Sequence, residues 1–373
     1  MSRDMVETPL RAALRLAAKG RYRAAPNPMV GAVVEDAGGR IVGRGYHRAA
    51  GEAHAEVVAL GEAGDRARGG TLYVTLEPCA HHGRTPPCVD AVLASGVRRV
   101  VACHADPDPR TSGRGFQVLR DAGVDVTWGP RDRDAIELNL RFLVSALLAR
   151  PLVTLKWAMT LDGKIATAAG ESQWISSPAG RRWGLGLREE HDAILVGSGT
   201  VLADDPALDR RLGWAAAPNV RVVIDRRLRV DPDVRLFRVE GPVLLYTESQ
   251  DAERQERLAA AGAEVVRQPA VTPLSVLEDL HARRIQSVLV EGGGKVLGAF
   301  MESELFDRVE VCCAPLLVGG EAAPGPIRGA GVATLAAGAR LESVRVGRRG
   351  TDVIVSGIRA GRVGHLLEKL ARP

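Results

Sequence analysis

Pro78-Cys79-Ala80-His81-His82-Gly83-Arg84-Thr85-Pro86-Pro87-Cys88, taken with His54-Ala55-Glu56 upstream, is the stretch from which the rest of the chain is read. Two cysteines and a histidine are donors that suit Zn²⁺, and three protein ligands leave a fourth position open for water. Bound zinc lowers the pKa of such a water toward neutrality. A glutamate that does not ligate, Glu56, can then carry protons. Each residue has an ordinary explanation alone: cysteines are commonly buried as small apolar side chains, and His54 could be a satisfied core histidine. Together and in this order they read as a catalytic zinc site with one ion per chain, held by His54, Cys79 and Cys88. His81 and His82 compete as ligands from the loop between the cysteines and are read as loop groups beside the site.

The surrounding segments alternate helix and strand. Thr8-Pro9 reads as the N-cap and first position of a helix, carried on by Leu10, Ala13, Leu14 and Ala17 and closed at Gly20. Val30 to Val34 is a strand that turns at Gly38-Gly39 into Ile41-Val42. His54 falls in the first turn of a helix through Val57, Val58 and Leu60. Residues i and i+2 of a helix point to different sides, which suits His54 on a metal and Glu56 toward a substrate. Thr71 to Leu76 is a strand that delivers Cys79 to a loop, where functional groups concentrate. Cys88 opens a helix that Gly96 closes. The strand Arg98 to Ala102, helix Gly115 to Ala122, strand Val124 to Thr127 and helix Ala135 to Leu148 complete an α/β layered domain.

At 373 residues the chain is long enough for two cores. Arg150-Pro151 marks the boundary, dividing residues 1–149 from 150–373. Apolar residues make up 46% and charged residues 25%, the balance of a soluble globular protein. The net charge of +5 is spread thinly. No basic run is interleaved with aromatics, so nucleic-acid binding is not expected. No apolar run reaches about 18 residues, so no membrane span is expected. Five cysteines, an odd number that includes the adjacent pair Cys312-Cys313, argue against a disulfide framework and for a reducing cytoplasm.

The order H-x-E, then P-C and a second cysteine, is the signature of zinc deaminases acting on nucleobases. Those proteins space the cysteines C-x-x-C, whereas eight residues, 80–87, intervene here. That long loop, with Pro26-Asn27-Pro28-Met29-Val30-Gly31-Ala32-Val33-Val34 and Gly51-Glu52-Ala53-His54-Ala55-Glu56, resembles the deaminase half of the bifunctional riboflavin-biosynthesis deaminase/reductases. The resemblance implies a cytidine-deaminase-like α/β/α domain. It also implies a phosphorylated pyrimidine substrate, 2,5-diamino-6-ribosylamino-4(3H)-pyrimidinone 5′-phosphate, which loses its C2 amine. Asn27, His47 and Arg84 match positions that meet base, ribose or phosphate, and a guanidinium such as Arg84 grips phosphate bidentately. Asp108 stands where the family has asparagine.

Beyond the boundary, Leu152 to Lys156, Asp192 to Val196, Val220 to Ile224, Val243 to Tyr246, Ser287 to Val290 and Val353 to Ile358 read as strands, with a helix starting at Thr272-Pro273. Glu291-Gly292-Gly293-Gly294-Lys295 follows a strand and opens the helix Val296 to Met301. Glycines let a ligand approach the backbone, and a helix N-terminus favours phosphate. The G-x-G-x-x-G fingerprint is absent. Leu155 to Ala166, Gly170 to Ser176, Gly199 to Pro206 and Val290 to Gly294 resemble the reductase half of the same family, which implies a dihydrofolate-reductase-like α/β domain and NADPH. By that resemblance Ala158, Trp174, Thr200, Asp204 and the segment Gly293, Gly294, Lys295, Val296, Leu297, Gly298 and Ala299 meet the cofactor. Ser172, Arg188, Leu208, Arg211 and Glu291 meet the substrate, with Arg188 and Arg211 toward its phosphate. Asp209-Arg210 stands where an uncharged pair is commoner, which leaves Arg210 and Arg211 as rivals for that phosphate.

Lys156 reads as an electrostatic or proton-donating group of the reduction, and Trp157, on the opposite side of the strand, as core. The expected assembly is a homo-oligomer. One alternative makes the second domain a nucleotide-binding or assembly module that reduces nothing. Another makes the chain a nucleic-acid editing deaminase, against which the long cysteine loop and the lack of a basic stripe stand.

Overall fold

Buried residues alternate between the two faces of each strand, and this period of two builds the first sheet. The computed structural model describes residues 3–83 and 86–370. The chain divides into two compact units, Met1–Leu148 with Val363–Pro373, and Ala149–Arg362. The closing helix Arg362–Lys369, read from the sequence with the second domain, therefore groups with the first unit from Val363 onward.

In the first unit β1 (Gly31–Glu35), β2 (Ile41–Tyr46), β3 (Thr71–Val74), β4 (Arg99–Ala102) and β5 (Asp125–Trp128) form one sheet in the order β2-β1-β3-β4-β5. The β1–β2 and β1–β3 pairings are antiparallel; β3–β4 and β4–β5 are parallel. Ala32, Val34, Leu72, Val74, Val100 and Ala102 face helices Ala55–Ala63, Cys88–Ser95 and Arg114–Asp121 in one core. Val33, Tyr73 and Val101 face Leu10, Ala13 and Ala135 in the other. Two covered faces explain why these strands are almost wholly apolar. The result is a three-layer α/β/α unit.

Two local readings change. The first helix starts at Arg3 and carries Pro9 inside it, so Thr8 is not its cap. A proline removes its own N–H bond and crowds the preceding turn, yet the helix continues on both sides. The helix expected from Ala135 to Leu148 is two, Asp132–Leu138 and Leu140–Leu148. They part at Asn139, whose Nδ2 donates to the Met29 carbonyl (2.9 Å) and whose Oδ1 accepts from the Met29 N–H (2.8 Å). The break converts a helical residue into a clamp on the segment leading into β1.

The second unit holds β6 (Leu152–Thr160), β7 (Ala193–Gly197), β8 (Val220–Ile224), β9 (Val243–Thr247), β10 (Ala263–Arg267), β11 (Ser287–Gly292), β12 (Arg308–Ala314), β13 (Leu341–Arg349) and β14 (Asp352–Arg359). They form one sheet, ordered β10-β9-β8-β7-β11-β6-β12-β14-β13. The seven strands from β10 to β12 are parallel; β14 and β13 run antiparallel at one edge. Three of the nine, β10, β12 and β13, went unread in the sequence. Helix Pro273–Ala282 begins at Thr272, whose Oγ1 accepts the Ser275 N–H while Ser275 Oγ accepts the Thr272 N–H.

One close approach sets the first site. A Cβ on Gly45 of β2 would lie 2.2 Å from the Ala55 carbonyl oxygen and 2.6 Å from Ala59 N. Glycine there lets helix Ala55–Ala63, which carries Glu56, lie directly on the strand. Gly45→Ala is expected to cost about 1–3 kcal/mol or more, as overpacking does, and to lower zinc content. Urea unfolding together with metal analysis checks both.

Candidate active sites of the two units

Three chain segments converge on the metal-type cluster of the first unit. His54 is the N-cap of helix Ala55–Ala63, one position earlier than the sequence suggested, with extended backbone (ψ 160°). Cys79 lies in the loop beyond β3, and Cys88 is the first residue of helix Cys88–Ser95. Their ligand atoms, one ring nitrogen and two sulfurs, all lie within 4.8 Å of one another. His54 Nδ1 is 3.0 Å from Cys88 Sγ and 3.6 Å from Cys79 Sγ, and the Cys88 N–H donates to Cys79 Sγ at 3.3 Å.

The electrostatics suit a cation. A hydrogen bond from Cys88, reinforced against the cost of burial by His54, depresses the Cys79 thiol to about 4. Cys88 is pushed up, its proton being shared with Cys79. Helix N-termini beside sulfur favour the anionic form. Two thiols and one imidazole are the borderline-soft donor set of zinc, and three ligands leave a position open.

Glu56 is 3% exposed and reaches the Cys88 thiol; burial pushes its carboxyl above the ordinary range. It does not belong to the ligand cluster. His47 is buried, with its ring edge-on to His54 at 5.3 Å. Asn27 Nδ2 donates to His47 Nε2 (3.0 Å), so the neutral ring carries its proton on Nδ1, toward the Ala53 carbonyl (3.2 Å). Asn27 and His47 thus form one unit beside the cluster. His81 bonds to Thr111 Oγ1 (2.8 Å), away from the ligands. Arg84 lies outside the described residues. Asp108 forks onto Arg110, with contacts of 2.6–3.1 Å, so its charge is compensated locally.

Sequence reasoning missed Glu77. It is 2% exposed and accepts the N–H groups of Asp106 (3.0 Å), Gly113 (3.0 Å) and Phe116 (3.2 Å), tying the strand end before Cys79 to the start of helix Arg114–Asp121. A carboxylate immediately before Pro78-Cys79 was the available signal.

In the second unit a cleft of about 1470 Å³ opens where the parallel strands end. Ligands of α/β sheets bind beyond the carboxyl ends of the strands. Every reductase-type residue singled out in the sequence lines it except Gly298 and Arg210, the rival of Arg211. A Cβ on Gly298 would lie 1.6 Å from the Arg328 carbonyl oxygen, so this glycine lets the segment around Arg328 cross the helix instead of contacting a ligand. The Gly292-Gly293-Gly294 turn does make a cradle, because a Cβ on Gly293 would lie 3.3 Å from Thr200 Oγ1 and one on Gly294 2.8 Å from Arg328 Cγ. Helix Gly294–Glu302 presents its N-terminus there. Lys295 is exposed, and Val296, Leu297 and Ala299 continue the wall toward the core. Ser172 Oγ donates to Asp204 Oδ1 (3.1 Å), and the exposed Trp174 carries Arg181 over its ring at 4.7 Å.

The charged centre of the cleft is Glu291 at the end of β11. Arg188 forks onto its two oxygens at 2.7 and 2.8 Å, and Lys156 Nζ stands 4.0 Å away. Burial would raise the Glu291 carboxyl, but the two cations override it and hold it at about 2. The stabilisation from this pairing is full above the ordinary carboxylate range and is lost as pH falls toward 2.

Arg188 is therefore committed to a carboxylate. Arg210 is spent on the carbonyls of Arg188 (3.1 Å), Ala217 and His191. Arg211, half exposed and paired among the described residues with Asp209 alone (2.8 Å), is the arginine of the pair left facing the cleft. Glu189 holds this loop by accepting the N–H groups of Leu212, Trp214 and Ala215 at 2.8–3.1 Å. Leu208 is 2% exposed, its side chain in the core. Trp157 is half-buried, packed at the edge of the core and also on the cleft wall.

The two units define a zinc-type pyrimidine deaminase with a cytidine-deaminase-like fold and a dihydrofolate-reductase-like reductase in one chain. A sequence model of the cytidine and deoxycytidylate deaminase zinc-binding region matches residues 4–104, and one of the RibD C-terminal domain matches residues 151–355. The riboflavin biosynthesis protein RibD of Aquifex aeolicus is 40% identical over 356 residues, 95% of this chain and 99% of that one.

Among solved structures, RibD of Acinetobacter baumannii superposes with a TM-score of 0.84 at 34% identity, covering 96% of this chain and all of that one. The diaminohydroxyphosphoribosylaminopyrimidine deaminase/5-amino-6-(5-phosphoribosylamino)uracil reductase of Thermotoga maritima gives 0.83 at 36%, covering 96% and 99%. The chain belongs to the RibD family of bifunctional riboflavin-biosynthesis enzymes, with zinc and NADPH as its cofactors.

Glu56→Gln is expected to keep zinc in the His54–Cys79–Cys88 cluster while ammonia release falls about 10²–10⁴-fold, the usual weight of a positioned acid/base. Cys88→Ser is expected to lose the metal. Metal analysis beside an ammonia assay separates the two effects.

Proposed function

We propose that residues 1–149 deaminate 2,5-diamino-6-ribosylamino-4(3H)-pyrimidinone 5′-phosphate and that the portion from residue 150 reduces the product. The observation that carries the reading is the convergence of His54, Cys79 and Cys88 beside the buried, non-ligating Glu56. His54, Cys79 and Cys88 would hold zinc, which when bound would supply an activated water. Glu56 would carry the two protons of the attacking water in turn, one to the ring nitrogen beside C2 and one to the amine, so that C2 gains a carbonyl oxygen as its carbon–nitrogen bond breaks and ammonia leaves. Asn27 and His47, joined to each other, orient the base and ribose. Arg84 is assigned to the phosphate.

In the second unit the cleft would hold NADPH, which when bound would supply a hydride for C1′ of the ribose. Breaking the C1′–O4′ bond turns the ring oxygen into a hydroxyl, which needs a proton. Lys156 carries a proton at Nζ on the cleft wall and is assigned that role, with Glu291 holding the ammonium in place. Ser172 and Glu291 orient the substrate, the Leu208 segment contributes backbone, and Arg211 takes the phosphate. Arg188 acts on the substrate through Glu291. The nicotinamide carries the hydride chemistry, and the protein orients it and excludes water.

Among the described residues no helix is long and apolar enough to cross a membrane. The five free cysteines support a cytoplasmic setting. The edge strand β13, with Val344 and Val346 exposed at 53% and 70%, supports a homo-oligomer closed over that edge.

Supplying the diaminopyrimidine substrate and NADPH to the whole chain tests the function. Ammonia release followed by NADPH oxidation is expected; ammonia release without oxidation, cofactor bound, would leave a silent second domain. Glu291→Gln removes the countercharge shared by Arg188 and Lys156 and is expected to slow NADPH oxidation at least about tenfold, as loss of a paired buried charge does. Ammonia release by the same preparation is the comparison.

A further inference from the structure

The reductase cleft extends past the reacting end to a group of arginines that the proposed chemistry does not use. The segment after β8 reads Asp225-Arg226-Arg227-Leu228-Arg229. Leu228 turns into the core (φ +50°), and the three arginines stay exposed on the cleft wall. Arg226 is committed elsewhere, donating through Nε and Nη2 to the Val271 carbonyl (3.2 and 2.9 Å) and pairing with Glu248 (3.4 Å). Arg229 is braced, its Nη2 on Ser198 Oγ (2.7 Å) and its Nε 4.0 Å from Asp225, with about half of its side chain still accessible. Arg227 makes no hydrogen bond or ion pair among the described residues.

Strand order gives this end of the cleft its meaning. From Lys156 on β6 the neighbours run β11, β7, β8. Three strand spacings make about 14 Å. A dinucleotide with its nicotinamide near Lys156 and its pyrophosphate at the Gly292–Gly294 turn would carry its adenosine end toward β8. Val271 and Pro273 supply apolar wall there, beside unspent positive charge. A guanidinium fork matches phosphate geometry.

We propose that Arg227 and Arg229 bind the 2′-phosphate of the adenosine ribose and are the residues by which this chain selects NADPH over NADH. The assignment rests on the reductase reading of the second unit. Titration calorimetry on the full chain with NADPH and, separately, NADH reads it without turnover. In the double variant Arg227→Ala, Arg229→Ala the Kd for NADPH is expected to rise at least about tenfold, the weight of charge-assisted hydrogen bonds. The Kd for NADH is expected to stay put, which also reports an intact cleft, and Arg227→Lys in the Arg229 background should recover part of the preference. Parallel weakening of both cofactors, or an unchanged Kd for NADPH, overturns the assignment. A wild-type chain that binds both cofactors equally overturns it while leaving the reductase reading standing; one that binds neither overturns both.

Discussion

Parallel strand direction is the constraint on which both sites depend. In the second unit seven neighbouring strands run the same way, so their carboxyl ends reach one edge of the sheet together. Lys156 stands within β6 just past Leu155, the partner of Val290, and so level with the end of β11, Thr200 follows β7, Asp225 to Arg229 follow β8 and Glu291 lies at the end of β11. No local rule would gather residues so far apart in the chain. The first unit uses the same device on a smaller scale. Its parallel β3–β4 pair sends Pro78-Cys79 and His104–Asp106 out of adjacent strand ends, and Glu77 binds the two exits together.

Both sites keep charge in places where water cannot screen it, and each balances that charge from several directions. In the first unit two sulfurs, an imidazole and a buried carboxyl stand together, an arrangement that a divalent cation completes. In the second, Glu291 is compensated by Arg188 and Lys156, so a buried carboxylate stays ionised where burial alone would protonate it. A deeper ion cluster with no chemistry attached lies at Asp307, which is fully buried, forks with Arg150 (both contacts 2.7 Å), accepts the Val153 N–H and meets Arg362 at 2.8 Å. It ties the start of β6 to the start of β12 and the end of β14.

The legibility of the sequence followed the range of the interactions. Strands β8, β9 and β11 and the helices opened by Cys88 and Thr272-Pro273 were plain, because alternation, caps and glycine stops act within a few residues. Asn139 broke an otherwise sound helix because its amide answers Met29, 110 residues away. The edge strand β13 was missed since its exposed face carries little apolar pattern. Glu77 and Glu189, which hold loops through backbone N–H groups, leave no periodic trace. Arg188 and Arg211 looked equivalent in the sequence; only packing revealed that one is spent on Glu291 and the other is not.

The sequence alone determined the chemistry. His54, Glu56, Cys79 and Cys88, with the long cysteine loop and the Lys156 and Glu291 segments, specify donor types, spacing and order, and these are covalent facts of the chain. Tertiary structure decided which of those groups share a site and in what state. It set His54 at a helix cap, buried Glu56 against Cys88, turned Gly298 away from the cleft, and left Arg227, among the described residues, without a hydrogen bond or ion pair beyond the glycine turn. Those outcomes depend on desolvation and on contacts between residues tens to hundreds of positions apart, which no local pattern in the chain encodes.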